Sequence, residues 1–148
     1  MNLIENKERI FSQVAQAMET ANRTDQVNVI AVTKYVGIDQ AKALVDTGVR
    51  HIGENRVDKF LEKYQALKDE GLTWHLIGSL QRRKVKEVIN FVDYFHALDS
   101  MKLAQEIQKR ASHPIKCFIQ VNISGEESKH GFAPEELDAL LPEIEALD

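Results

Sequence analysis

Apolar positions along the chain alternate between two periods. In residues 2–21 they recur at spacings of three and four, through Leu3, Ile4, Ile10, Phe11, Val14, Ala17 and Met18, which predicts an amphipathic helix. The polar run Asn22-Arg23-Thr24-Asp25 separates it from residues 27–35 (VNVIAVTKY), whose first seven positions are apolar or β-branched in all but one case. That density predicts a strand buried on both faces. A turn at Gly37-Ile38-Asp39 follows, with Asp39 or a neighbour as cap, and a helix through Ala41, Leu44 and Val45 that stops near Gly48. The pattern then repeats. Strands are expected at 49–53, 73–78, 94–98 and 115–124, and helices at 54–68, 80–91 and through Leu103, Ala104 and Ile107, the last with Asp99 and Ser100 offering caps. His113-Pro114 ends the last of these, because proline disfavours helix in the residue before it. A polar loop over residues 125–131 leads to a final helix opening at Pro134, with Leu137, Leu140, Leu141, Ile144 and Leu147 on one face.

The strand landmarks Val29, Arg50, His75, His96 and Ile119 recur every 21 to 25 residues, each followed by a helix. Serial strand–helix units build a parallel sheet. No G-x-G-x-x-G turn follows the first strand, which removes the dinucleotide-binding form of the open sheet and favours a (β/α)8 barrel. A complete barrel takes about 250 residues, with about 200 as a practical minimum. The 148 residues therefore read as one barrel domain spanning 1–148, cut at its C-terminal end after the first five or six β/α units of a longer chain. An unclosed sheet leaves a strand edge open to self-association.

Composition narrows the function classes. Hydrophobic content of 43% and charged content of 28% are ordinary for a globular domain. The net charge of −4 argues against nucleic-acid binding, and Arg82-Arg83-Lys84-Val85-Lys86 reads as a solvated helix face. The single cysteine, Cys117, lies in an apolar run and reads as a small core residue. One cysteine excludes an intrachain disulfide and fits a reducing, cytoplasmic setting. The charged N-terminus lacks the apolar stretch of a signal peptide, and no run nears the roughly 20 apolar residues of a membrane span.

In parallel barrels, chemistry gathers at the C-terminal ends of the strands. Those ends carry Thr33-Lys34, Gly53-Glu54-Asn55-Arg56, Gly78-Ser79-Leu80-Gln81, Leu98-Asp99-Ser100 and Asn122-Ile123-Ser124. Lys34 stands where a buried strand ends, and a lysine amine in a partly dry cleft suits covalent carbonyl chemistry through a Schiff base. A lysine merely snorkelling at a strand end is the alternative. Asn55 can hydrogen-bond a ring substituent without adding charge, or simply cap a helix. Glu54 and Arg56 are expected to pair at the surface. His75, like His51 and His96, lies inside a strand and reads as a core or supporting group. With no H-x-H or H-E-x-x-H spacing, and with differing depths expected for the three rings, no metal site is expected.

Four segments carry a resemblance: Ala31-Val32-Thr33-Lys34, Ile52-Gly53-Glu54-Asn55-Arg56-Val57, Trp74-His75-Leu76-Ile77-Gly78-Ser79-Leu80-Gln81, and Gln120-Val121-Asn122-Ile123-Ser124 with Lys129 and Gly131. Together, in this order and over essentially the whole chain, they resemble the pyridoxal phosphate homeostasis protein family of the YggS or PROSC type. The resemblance implies a fold-type III barrel similar to the N-terminal domain of alanine racemase, with the cofactor on Lys34. It places Asn55 at the cofactor, His75 and Gly78 beside it, and Lys129 in a loop used for cofactor transfer or secondary binding. Arg83 departs from the asparagine of many members. The family's phosphate-binding segments fall beyond residue 148, so the resemblance also implies weak cofactor retention in a chain of this length.

The favoured function is a carrier in vitamin B6 homeostasis that holds pyridoxal 5′-phosphate without substantial catalysis and passes it to dependent apoenzymes. A small amino-acid racemase is the second reading. It requires proton exchange on both faces of a carbanion, for which one lysine is insufficient. A barrel fragment acting through self-association is the third.

Overall fold

The computed structural model describes residues 2–126 and 130–147. Helix α1 (Leu3–Thr20) opens on Asn2, whose side chain accepts from the Glu5 amide. Five β/α units follow. Strands β1 (Ile30–Val32), β2 (His51–Glu54), β3 (Thr73–Leu76), β4 (Tyr94–Leu98) and β5 (Lys116–Ile119) form one parallel sheet in the order β1-β2-β3-β4-β5. Helices α2 (Ile38–Asp46), α3 (Val57–Leu67), α4 (Val85–Val88), α5 (Met101–Arg110) and α6 (Leu137–Glu145) alternate with the strands and close the series. This is the expected incomplete barrel, a parallel α/β sheet that does not close on itself.

Register assigns the two faces. Ala31, Ile52 and Trp74 align across β1 to β3, and Glu54, Leu76, Phe95 and Cys117 align one step further along. These residues face the helices, where Ile52, Leu76 and Phe95 meet Phe60, Val85, Val88 and Ile89, all at 0% exposure. Phe60 and Tyr64 of α3 pack edge-on against Trp74 at 5.6 and 5.3 Å between ring centroids. The opposite face carries Val32, Gly53, His75, Tyr94 and Lys116 in register, with His96 and Phe118 further along β4 and β5.

Several expectations are corrected. The first strand is not buried on both faces: β1 is a three-residue edge strand whose Val32 is 52% exposed, because no further strand covers the barrel-interior side among the described residues. Glu54 ends β2 rather than opening a helix, and α3 begins at Val57. Of the turn expected to cap α2, Gly37 takes the N-cap position, with no side-chain bond, and Asp39 falls in the first helical turn. Residues 82–91 form no single helix but a 3-10 turn, a short α-helix and a second 3-10 turn. Stiff β-branched Val85, Val88 and Ile89 there are fixed by packing, at 0% exposure each, rather than by helix propensity. Ser100 does cap α5, accepting from the Leu103 amide at 3.1 Å.

Candidate functional site

The C-terminal rim of the sheet is built from the turns after each strand. The Thr33 carbonyl accepts the Val36 amide at 3.2 Å, closing a four-residue turn that holds Lys34 at its second position. Lys34 is half-buried, and its ammonium lies 5.1 Å from the centroid of the exposed Tyr35 ring. Lys42, Lys59 and Lys63 pair with carboxylates, whereas the Lys34 amine has no carboxylate partner among the described residues. A cavity of about 260 Å³ opens beside it, lined by Lys34, Tyr35, Val36, Gly37 and the α3 residues Lys59, Glu62 and Lys63.

Asn55 follows β2 at the same rim, and Gly78 follows β3. A methyl group on Gly78 would sit 2.3 Å from the Asn55 carbonyl oxygen and 2.8 Å from its Cβ. Only glycine lets the two loops touch, so these two predicted residues are brought together by direct packing. Lys34 and Asn55 are linked through the residues before them. Thr33 Oγ1 donates to Glu54 Oε2 at 2.5 Å, and Lys63 Nζ lies 2.6 Å from both that oxygen and the Thr33 carbonyl.

The Thr33–Glu54–Lys63 cluster corrects the expectation that Glu54 pairs at the surface. Glu54 is 0% exposed and Lys63 only 3%, while Arg56 turns instead to Asp58 at 2.9 Å. A signal for Lys63 was present in the sequence. It falls between Phe60 and Leu67 on the apolar stripe of α3, at spacings of three and four. A lysine on a buried stripe needs a buried acceptor.

His75 lies deeper, on the barrel-interior face, away from the cavity at Lys34. Its ring neighbours are His51, His96 and Tyr94. The expectation of differing depths fails here: His51 Nδ1 approaches His75 Nε2 at 3.0 Å, and His75 Nδ1 approaches His96 Nε2 at 2.9 Å. Each step advances two residues along the next strand, and barrel tilt brings those positions level. The rings form a chain rather than a ligand set, because His75 presents opposite nitrogens to its two neighbours. Among the described residues, no group of three or more histidine, cysteine or acidic side chains is placed to hold a metal ion. Burial, with the two flanking imidazoles adding to it, pushes His75 down to about 4, and burial lowers His51 and His96 as well. Tyr94 stacks on His75 at 4.7 Å.

Burial raises the Cys117 thiol to about 11, which keeps it protonated and unreactive, in line with a core role. Lys129 lies outside the described residues. No helix among the described residues is long and apolar enough to cross a membrane.

The family model of the alanine racemase N-terminal domain matches residues 6–148. The chain is 39% identical over 157 residues to the pyridoxal phosphate homeostasis protein of Aquifex aeolicus, covering 99% of this chain and 69% of that protein. PipY of Synechococcus elongatus, solved with PLP bound, superposes with a TM-score of 0.83 at 28% identity, over 99% of this chain and 66% of that one. Alanine racemase from Corynebacterium glutamicum superposes with a TM-score of 0.61 at 15% identity, over 82% of this chain and 36% of that one, a likeness of fold alone. The chain spans about two thirds of the length of the curated relatives it matches.

Proposed function

We propose that this chain, which belongs to the alanine racemase N-terminal domain family and within it to the pyridoxal phosphate homeostasis proteins, holds pyridoxal 5′-phosphate reversibly on Lys34 and serves vitamin B6 homeostasis rather than turnover. One observation carries the residue assignment. The Lys34 amine, which makes no ion pair among the described residues, sits beside a cavity of about 260 Å³ on the rim that also bears Asn55 packed on Gly78. When bound, the cofactor supplies an electrophilic aldehyde, the partner for a Schiff-base linkage to an amine.

The chain's own residues then have distinct tasks. Lys34 presents the amine. Asn55 offers a neutral hydrogen-bonding group, and Gly78 keeps the loop beside it close. Lys59 and Lys63 also line the cavity, each already paired, with Glu62 and Glu54, so among the described residues the unpaired cation on that wall is Lys34 itself. His75, held neutral at ordinary pH, supports the interior face without placing a charge there. The domain acts in the cytoplasm and passes its cofactor to dependent apoenzymes.

The assignment is tested by adding pyridoxal 5′-phosphate, recording the absorbance of the linkage, reducing with borohydride and locating the label by mass spectrometry. Label on Lys34, lost in Lys34→Ala, is the expected result; label persisting in the variant overturns it. Exchange of the Cα proton of alanine with solvent separates carrier from racemase, since steady exchange would contradict the carrier reading.

The open sheet face favours a second, compatible reading. Val32 and Phe118 are 52% and 55% exposed there, and β1 and β5 are the sheet's outer strands. Self-association across this face is read by sedimentation with and without cofactor.

A further inference from the structure

We propose that Lys63, through its buried contact with Glu54 and Thr33, is a positioning residue for the Lys34 amine, an inference that rests on the assignment of Lys34 as the cofactor lysine. The cluster is a poor device for stability alone. All three members are at or below 3% exposure, and Glu54 Oε1 has no hydrogen-bond partner among the described residues. Burying an ion pair costs desolvation that the pairing repays only when every lone pair is satisfied, and here one is not. Apolar residues of similar volume would fill the same space without that cost.

The cluster does, however, fix direction. The Thr33 carbonyl belongs to the peptide that joins Thr33 to Lys34. It receives two donors, the Lys63 ammonium at 2.6 Å and the Val36 amide at 3.2 Å. The first ties the turn to α3, and the second closes the turn around Lys34. Glu54 Oε2 takes both Lys63 and the Thr33 hydroxyl, so the ends of β1 and β2 are clamped one residue before Lys34 and one residue before Asn55. Lys63 also lines the cavity that Lys34 lines. An amine that must meet an aldehyde in a defined orientation loses reactivity when its backbone anchor drifts.

Lys63→Met alone leaves Glu54 charged and unpaired, so the informative variant is the pair Lys63→Met with Glu54→Leu. If that pair does not fold, Lys63→Met with Glu54→Gln serves in its place. Two readouts are taken. In cofactor-free protein, hydrogen exchange of the Val36 amide is expected to speed by about tenfold or more, while the Ile52 and Leu76 amides hold their rates. In titrations with pyridoxal 5′-phosphate followed by borohydride trapping, half-saturation is expected to rise by about tenfold or more, with the melting temperature unchanged or higher. An unchanged Val36 rate overturns the positioning role, and so does uptake by the variant equal to that of a wild type that takes up cofactor. If wild-type protein takes up no cofactor, the assignment of Lys34 fails, and Val36 exchange alone decides whether the clamp holds the turn.

Discussion

Single residues matter here mainly where backbone or charge leaves no slack. Gly78 is one such place, since the atoms a side chain would strike belong to the Asn55 backbone and its Cβ, not to a flexible tail. Gly78→Ala is expected to cost about 1–3 kcal/mol, from overpacking and displacement of the Asn55 loop, read as a lower urea midpoint at constant m-value. His75 sets the pH response. Its unfolded form binds a proton near 6.5, while the folded form does so at about 4. Between those values the unfolded chain holds more protons, so stability is intact above about pH 6.5 and falls as pH drops toward 4. His51 and His96 shift in the same direction and add to the slope. Melting temperature across that range, with an NMR titration of the His75 ring, checks both claims; a His75 midpoint near 6.5 would contradict them.

At the scale of elements, α3 does two jobs. Its Phe60 and Tyr64 pack the aromatic cluster on Trp74, and Lys63, on the same buried stripe, reaches the ends of β1 and β2. Removing the ammonium alone strands a buried carboxylate. Lys63→Met is therefore expected to destabilise by about 3–5 kcal/mol in denaturant unfolding. A loss below about 1 kcal/mol would mean that water reaches the Glu54 carboxylate and replaces the lost ammonium. Helix α1 contrasts with α3. It has the amphipathic pattern and a capped start, yet buries none of its residues, and Ile4 remains 62% exposed. Pattern and cap are enough to form a helix, which then meets the core through the half-buried Phe11 rather than through a fully buried face.

At the scale of the whole molecule, one face of the parallel sheet is packed and the other is open. Helices cover the side bearing Ile52, Leu76 and Phe95, while Val32 and Phe118 meet solvent on the other. Self-association through the open face predicts that Val32→Lys combined with Phe118→Lys lowers the weight-average mass in sedimentation at nearly constant melting temperature. An unchanged mass would rule that face out. The shared rim explains how a carrier role fits this architecture. Parallel strands place every loop that follows a strand at one end, so Lys34, Asn55 and Gly78, far apart in the chain, belong to one surface.

The order and type of the β/α units, and the C-terminal rim on which Lys34 stands, were legible in the amino-acid pattern. They depend on local periodicity and on the rule that serial strand–helix units pair in parallel. Strand ends and the broken helix over residues 82–91 were not, because packing fixes them against local preference. Tertiary structure alone decided three things: the partner of Glu54, the levelling of the three histidines into one chain, and the contact of Gly78 with Asn55. Each joins residues at least nine positions apart on different elements, and their meeting is set by register, tilt and helix placement, which no short window of sequence contains.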